Sequence, residues 1–245
     1  MATALVFCLR LCLQLLALPI YVLSYLGVWQ PYCKKIFPAF MEKFAPSYNK
    51  KMSRQKQELF RNLLEFAGPS GQLRLLEIGT GTGSNFQFFP ANCRVTCTDP
   101  NPHFQRSLAK SMAQNQHLQF DSFLVTPAEN LQEVADSSVD VVVSTLVLCS
   151  VRDMQSVLSE VCRVLKPGGA FYFLEHVAAD HSSWCYFWQQ VLFPTWKLLF
   201  DGCCLTREIW SDLDKANFSD VKLQHIYVPL HWTPIQPHII GYAVK

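Results

Sequence analysis

Residues 73–85 read LRLLEIGTGTGSN, and this stretch decides the fold. A run of mostly apolar residues passes into three alternate glycines, Gly79, Gly81 and Gly83. Glycine lets the backbone approach a ligand closely, and the start of a following helix would offer free N–H groups. The sixth position is Ser84, so the run departs from the dinucleotide fingerprint, which has glycine or alanine there. The stretch therefore predicts a buried strand, a ligand-binding loop and a helix start.

Two carboxylates accompany the glycines. Glu77 precedes Gly79, and Asp99 ends the next apolar run, twenty positions after that glycine (99 − 79). A carboxylate at this distance reaches ribose hydroxyls in nucleotide sites. A purely structural strand and turn would explain the glycines but not both acids. The set therefore predicts a ligand site outside the carboxyl ends of the strands.

Alternating segments extend this pattern along the chain. Strands separated by helices, with near-continuous apolar runs, predict a parallel sheet that is covered on both faces. The last two strands are joined by a proline-containing loop without a helix, which predicts an antiparallel pair. Helices are predicted over 53–67 and 153–165. The predicted strands are 73–78, 94–98, 118–125, 139–146, 170–176, 221–226 and 239–244.

Two further segments complete a familiar set: Ala128-Glu129 after the third strand, and RVLKPGG at 163–169 before the fifth. With E-x-G-x-G-x-G and Asp99, they resemble the class I S-adenosylmethionine-dependent methyltransferases over roughly residues 70–180. The resemblance implies an α/β, Rossmann-like fold. Its mostly parallel seven-stranded sheet would carry an antiparallel C-terminal strand, and a hydrophobic helix would precede it. The implied cofactor is S-adenosyl-L-methionine.

The resemblance also implies roles for individual residues. The three glycines would pass under the methionine part of the cofactor, with Glu77 near by, and Asp99 would take the ribose hydroxyls. Thr80 stands where many members have cysteine, which is also small. The remaining implied cofactor contacts are Thr80 and Asn85 in the loop, Pro100 and Asn101 beside the adenosine, Ala128 and Glu129 at the adenine, and Thr145 and Leu146 near the transferred methyl.

One branch of the family resembles essentially the whole chain. The segments that carry this resemblance are the hydrophobic N-terminus, CRVTCTDPNPHF at 93–104, VDVVVSTLVLCSV at 139–151, GGAFYFLEHVA at 168–178 and PHIIGYAVK at 237–245. They are similar to the membrane-bound methyltransferase-like proteins, which include the microsomal thiol S-methyltransferases of the endoplasmic reticulum and lipid droplets. The implied substrate is a small lipophilic thiol.

Glu175 and His176 end the fifth strand, on the side where substrates bind. His176 is a candidate base for the thiol proton, because the pKa of histidine is near 6.5. A thiol needs little help, since a few per cent is already thiolate at pH 7. The competing interpretation is that one of the two residues hydrogen-bonds a loop and neither moves a proton.

Residues 182–210 are unusually aromatic for a connection between strands. They predict an apolar substrate lid or a second membrane-contacting face. The alternative is a helical layer that packs on the sheet, because aromatic stripes are usually core. The lid candidates are Trp184, Trp188, Phe193 and Trp196.

Residues 4–29 are mostly apolar, with Arg10 as their only charge, and they meet the length of about 20 residues that crosses a bilayer. A basic n-region and a small-x-small cleavage site are both missing, which disfavours a signal peptide. A core helix would seldom be apolar on every face. Residues 1–33 are therefore predicted as a membrane anchor. Arg10, Gln14 and Pro19 leave open whether it spans the bilayer or lies in one leaflet.

Six lysines and arginines follow between residues 34 and 54. Such residues stay on the cytoplasmic side and are attracted to anionic lipid. Residues 34–70 are predicted as a basic linker and helix, and 71–245 as a methyltransferase domain that faces the cytosol. The expected location is the endoplasmic reticulum membrane or the lipid droplet.

Composition limits the partners. Half of the 245 residues are hydrophobic and 16% are charged, so a large core can form. A net charge of +2 disfavours nucleic acid as a partner. The ten cysteines contain no C-x-x-C and no finger-like pairing with histidine. No metal site is therefore predicted, and reduced thiols are expected.

Two other functions compete with thiol methylation. The first is methylation of a lipid or quinone-like acceptor at carbon or oxygen, which shares the anchor and the apolar lid. The second is a non-catalytic scaffold on a membrane or lipid droplet. The intact glycine loop and Asp99 argue against the scaffold.

Overall fold

The computed structural model describes residues 2–230 and 233–245. Its seven strands are β1 Leu73–Ile78, β2 Cys93–Thr98, β3 Gln119–Leu124, β4 Val139–Thr145, β5 Leu165–His176, β6 Asp220–Tyr227 and β7 Pro237–Val244. They form one sheet in the order β3-β2-β1-β4-β5-β7-β6. Strand β7 pairs antiparallel with both β5 and β6, and the other pairings are parallel. The predicted α/β sheet is confirmed.

The described helices are α1 Ala2–Leu16, α2 Leu18–Tyr25, α3 Trp29–Phe60, α4 Gln105–Gln114, α5 Met154–Val164, α6 Trp184–Leu199 and α7 Ile209–Lys215. Short 3-10 helices occupy Leu63–Phe66, Phe86–Phe88 and Pro102–Phe104.

Strand periodicity divides the core between the two faces of the sheet. Side chains alternate along a strand, so Leu75 and Val141 point to one face, whereas Leu76 and Val142 point to the other. The first face is covered by α3 and the second by α5 and α7. Both faces are dry at β4, where every residue from 139 to 144 is buried. The carboxyl ends of the strands, where the ligand site is predicted, therefore adjoin a buried central strand.

Two connections differ from the prediction. The glycine loop leads only into the 3-10 helix Phe86–Phe88, not into an α-helix. The reason is Pro90, which disfavours helical backbone at the preceding residue, and Phe89 is extended. The connection over 125–138, between β3 and β4, is made of turns rather than a helix.

Helix α3 corrects the prediction of a basic linker followed by a helix over 53–67. It begins at Trp29 and runs unbroken to Phe60, through Pro38 and Pro46. Its second half is buried on the sheet, where Met52 belongs to the first-face core. Five of its positive charges are exposed on the outer side (Lys35, Lys43, Lys50, Lys51 and Arg54), whereas Lys56 is buried.

The N-terminal apolar segment is bent. Helices α1 and α2 meet at an angle of 70°. Among the described residues, no single helix combines the length and hydropathy of a membrane span, although the bent pair does so jointly. Helix α1 packs on α6, and the Arg10 guanidinium donates to the Gln190 carbonyl oxygen at 2.7 Å.

Candidate cofactor and acceptor site

The glycine loop needs glycine for backbone conformation and for space. Gly79, Gly81 and Gly83 have φ of +58°, +55° and +72°, in the left-handed region that side chains disfavour. A Cβ on Gly79 would collide with Val147, and one on Gly83 would lie 2.5 Å from the Phe86 ring. The loop is therefore a backbone cradle that a side chain would fill.

A buried polar network lies beneath this cradle. The Asn85 amide donates to Glu77 Oε1 at 2.6 Å and to Thr145 Oγ1 at 3.0 Å. The Lys56 ammonium donates to the Asn85 amide oxygen and to the Asn49 amide oxygen, both at 2.7 Å. Helix α3 is thus tied directly to the glycine loop and, through Asn85, to the end of β4.

Burial disfavours the charged forms in this network. Desolvation raises the pKa of Glu77 to about 8 and lowers the pKa of Lys56 to about 7. Glu77 Oε2 is buried and has no hydrogen-bond partner among the residues that the structure describes. An unpaired carboxylate oxygen beside a glycine cradle fits the ammonium of a bound amino acid, such as the methionine part of S-adenosylmethionine.

Asp99 lies at the end of β2. Together with the glycine loop and the end of β1 it forms what we call the cofactor edge. Its carboxylate accepts from the Gly81 N–H at 3.0 Å and from the Asn101 N–H at 2.8 Å. Each oxygen keeps a further lone pair for a ribose hydroxyl. Burial raises the pKa of Asp99 to about 6. The Asn101 side chain donates to the Lys34 carbonyl oxygen in α3, whereas Pro100 is exposed.

The remaining predicted cofactor residues lie along the same edge. Ala128 is buried, and the Glu129 carboxylate accepts from the Arg152 N–H at 2.6 Å, so this side chain holds the loop that leads into α5. Thr80 donates from its hydroxyl to the Glu77 carbonyl oxygen. Leu146 has φ of +58°, which marks a sharp turn after β4.

Glu175 holds this turn. Its carboxylate accepts from the Ser144 hydroxyl at 2.7 Å and from the N–H groups of Val147 and Leu148 at 2.9 and 3.1 Å. It is fully buried, and desolvation raises its pKa to about 7. A carboxylate with these partners anchors a loop. The interpretation that one of the two candidate residues hydrogen-bonds a loop describes Glu175.

His176 lies at the acceptor edge, which we define as the carboxyl ends of β4 and β5 with the turn after β4, the adjoining start of β7 and the loop after α6 that carries Cys203. Its Nε2 lies 3.0 Å from Cys203 Sγ, and its Nδ1 has no partner in the described part of the chain. Its ring also lies 6.4 Å, centroid to centroid, from that of His238. His176 therefore keeps an unengaged nitrogen, as a candidate base requires.

His238 is fixed as a neutral ring. Its Nδ1 donates to the Gln236 carbonyl oxygen at 3.1 Å, and its Nε2 accepts from the Tyr48 hydroxyl at 3.0 Å. Burial, together with His176, lowers the pKa of His238 to about 3. Tyr48 comes from α3, so the same helix that contacts the cofactor network also closes the acceptor edge.

The four lid candidates all lie on α6 but differ in burial and in contacts. Trp196 packs on the first-face core, and its indole N–H donates to Cys203 Sγ at 3.2 Å. Phe193 is half-buried, whereas Trp184 and Trp188 are 76% and 48% exposed. Only Trp196 of the four thus reaches the acceptor edge through a side-chain hydrogen bond, and the exposed pair belongs to an apolar outer face.

Several residues of the site were missed by the sequence analysis: Tyr48, Asn49, Lys56, Cys203 and His238. Lys56 has a partial signal, because it stands at a buried position of an amphipathic helix. The other four carry no local signal, since they reach the site only through contacts between distant segments.

Comparison with known proteins places this geometry in a family. A family model described as a methyltransferase domain matches residues 76–173. Human thiol S-methyltransferase TMT1A is 61% identical over 98% of both chains. Human thiol S-methyltransferase TMT1B is 54% identical over 97% of both chains.

Solved structures share the fold at low sequence identity. Geranyl diphosphate C-methyltransferase from Streptomyces coelicolor, in complex with S-adenosylhomocysteine, superposes with a TM-score of 0.60. It is 14% identical and covers 83% of both chains. A methyltransferase from Thermotoga maritima superposes with a TM-score of 0.56, at 19% identity, over 86% of this chain and 98% of its own.

The fold, the glycine cradle and the full-length relatives agree. This chain belongs to the S-adenosylmethionine-dependent methyltransferases, in the family that contains the thiol S-methyltransferases, and S-adenosyl-L-methionine is its cofactor.

Proposed function

We propose that this enzyme methylates the sulfur of small lipophilic thiols while it is anchored to a membrane. The observation that carries the thiol assignment is 61% identity over nearly the whole chain to an enzyme named as a thiol S-methyltransferase. The cytosolic face of the endoplasmic reticulum or the lipid droplet is the proposed location, supported by the apolar N-terminal helices and the basic outer side of α3.

The residues of the cofactor edge bind and orient the donor. S-adenosylmethionine supplies a methyl group on a positively charged sulfur. Glu77 would accept from its ammonium, and Asp99 would accept from its ribose hydroxyls. Lys56 holds Asn85, and Asn85 holds Glu77, so the carboxylate would bind the methionine part of the cofactor in a fixed position.

The acceptor edge suits a nucleophile that needs little activation. Glu175 is occupied by hydroxyl and N–H donors, and His238 is held neutral. His176 is then the available base for the thiol proton. Aliphatic and aromatic side chains such as Leu146 and Trp196 keep the edge apolar, which favours the union of a thiolate with a sulfonium.

The apolar outer face supports entry of lipophilic acceptors from a bilayer. Phe7, Leu16 and Tyr25 are 64%, 82% and 91% exposed on α1 and α2. Trp184 and Trp188 are also exposed, on α6, and Trp184 lines the same groove as Phe7. Exposed apolar patches on proteins often mark interaction or membrane sites. The 70° bend favours helices that lie within one leaflet over a straight span.

A panel of acceptors tests the thiol assignment. The purified full-length enzyme is given labelled S-adenosylmethionine with an alkyl thiol, the matching alcohol and a hydroquinone. We expect label in the thioether only, and kcat/KM rising about fourfold per added methylene of the thiol, since each buried CH₂ contributes about 0.8 kcal/mol. Methylation of the hydroquinone without the thiol would contradict the assignment and favour the quinone-like alternative.

Vesicle flotation tests the membrane face. We expect the full chain to float with vesicles, and the double variant Phe7→Glu, Leu16→Glu to remain with the soluble fraction. Leu64→Glu is the matched control, because Leu64 is 50% exposed in a different region. Equal flotation of both variants would contradict the proposed face.

A further inference from the structure

Three buried side chains at the acceptor edge have metal-ligand chemistry, and one of them is the candidate base His176. Cys149 lies in the turn after β4, His176 ends β5, and Cys203 lies in the loop after α6. One ligand atom from each lies within 4.8 Å of the others. All three residues are at most 9% exposed. The cysteine spacing along the sequence predicted no such group, because folding alone brings these segments together.

We propose that Cys149, His176 and Cys203 bind a thiophilic divalent cation of the zinc class. Two thiolates and one imidazole are a ligand set that zinc uses in proteins, and a site with three protein ligands keeps a fourth position for water or another small ligand. Two sulfurs bound to a tetrahedral zinc ion at about 2.3 Å lie about 3.8 Å apart. The cluster therefore needs side-chain movements of only about 1 Å to close around the ion.

The charge balance suits a buried position. Each cysteine binds as a thiolate, so binding releases two protons to solvent. A divalent cation, two thiolates and a neutral imidazole have no net charge, which avoids the cost of an unpaired buried charge. A site of two thiolates, one imidazole and a divalent cation is therefore compatible with the buried interior of the acceptor edge.

Neighbouring groups support the ligands. The Trp196 indole N–H already donates to Cys203 Sγ at 3.2 Å, and such a bond stabilises a metal-bound thiolate. His176 Nδ1 has no partner among the described residues, so no competing hydrogen bond on that side restrains the ring. The cluster thus combines a sulfur that already accepts a hydrogen bond with an imidazole that has one unpartnered nitrogen among the described residues.

Occupancy would fasten three segments at the acceptor edge without touching the cofactor side. The ion would connect the turn after β4, the end of β5 and the loop after α6. Glu77 and Asp99 lie outside the cluster. We therefore expect a bound cation to stabilise the fold and to leave cofactor affinity unchanged. A neutral imidazole has a single acceptor nitrogen, so His176 cannot accept the thiol proton while it binds the ion, and the two roles belong to different states of the enzyme.

Cobalt(II) is the probe for the site. The full-length protein is purified in detergent, reduced with a phosphine and titrated with Co²⁺. We expect the visible absorption of tetrahedral cobalt–thiolate to saturate at one equivalent and to vanish when Zn²⁺ is added. Zinc in excess over its Kd should raise the Tm by about 5 °C.

Variants assign the ligands. Cys149→Ser and Cys203→Ser should each lose the absorption and the rise in Tm, whereas Cys204→Ser, at a neighbouring half-buried thiol, should keep both. Unchanged S-adenosylhomocysteine affinity shows that a variant is folded, and Cys149→Ala replaces a serine variant that fails this check. Absorption that is absent from the wild type, or equal in the wild type and in folded Cys149 and Cys203 variants, would overturn the site.

Discussion

The glycine loop and the two carboxylates of the cofactor half, at the ends of β1 and β2, lie within residues 77–99, whereas the acceptor half joins residues up to 190 positions apart. In the cofactor half, the glycines and Glu77 belong to one loop and the strand before it, and Asp99 lies at the end of the next strand. In the acceptor half, α3, α6, β5 and β7 each contribute one or two side chains. The difference suggests that donor binding is fixed by local backbone geometry, and acceptor choice by long-range packing.

The largest effect is expected from the cofactor half. In Asp99→Ala, two N–H groups lose a charged acceptor and the ribose hydroxyls lose theirs. Hydrogen bonds to a charged group contribute about 1.5–3 kcal/mol each. We expect a loss of about 4 kcal/mol, which raises the Kd for S-adenosylhomocysteine about 10³-fold in calorimetry. Asp214→Ala, at an exposed position of α7, is the control, and equal affinities in the two variants would refute the assignment.

Lys56→Met breaks the connection between α3 and the glycine loop. The methionine keeps the apolar stem but leaves the Asn49 and Asn85 amide oxygens without their donor. We expect about 3 kcal/mol less stability, and a Tm about 9 °C lower in a thermal melt.

The exposed Lys110→Met on α4 is the matched control for this change and should leave the Tm unaltered. A Tm within 2 °C of the wild type in Lys56→Met would mean that the buried ammonium contributes little to the fold.

Glu77→Gln tests the buried carboxylate through pH. Burial holds the pKa of Glu77 at about 8, so the ligand-free protein is mostly neutral there at pH 7. An ammonium binds the ionised form, so wild-type cofactor affinity should rise with pH toward 8, by up to about tenfold per unit between pH 6.5 and 7.5. The glutamine variant should lose this slope in calorimetry, and equal slopes would exclude Glu77 as the titrating group.

The same shift has a second consequence. Because the pKa of Glu77 is raised in the folded state, its contribution to stability is complete below about 4.5 and is lost as the pH rises toward 8. The free energies of unfolding of the wild type and Glu77→Gln, measured in urea, should therefore be similar at low pH. Near pH 8 the wild type should have become less stable relative to the variant.

The sequence predicts the strand and the glycine loop at the end of β1 because the signals for these elements are local. The strand 73–78, its glycines and Asp99 are fixed by burial, by φ and by a short spacing. The prediction of a helix after the glycines was wrong, because Pro90 disfavours helical backbone at Phe89. The sequence pattern did not indicate the contact made by Glu129, whose carboxylate accepts a hydrogen bond from the Arg152 N–H.

The acceptor half and the N-terminus could be predicted only in part. Glu175 and His176 are adjacent in sequence, but only the fold shows that one anchors a turn and the other lies beside Cys203. The tyrosine that meets His238 belongs to a segment predicted as a linker. Hydropathy identified an apolar N-terminal segment, but not its bend or the packing of α1 on α6.

The division of the edge is tested most directly by His176→Gln, measured for S-adenosylhomocysteine affinity and for methyl transfer to an alkyl thiol. His176 lies outside the cofactor network, so we expect a Kd within about twofold of the wild type. We expect kcat to fall by about tenfold, since a thiol needs only modest help from a base. A cofactor Kd that rises as in Asp99→Ala, with kcat unchanged, would contradict the separation of donor binding from acceptor activation.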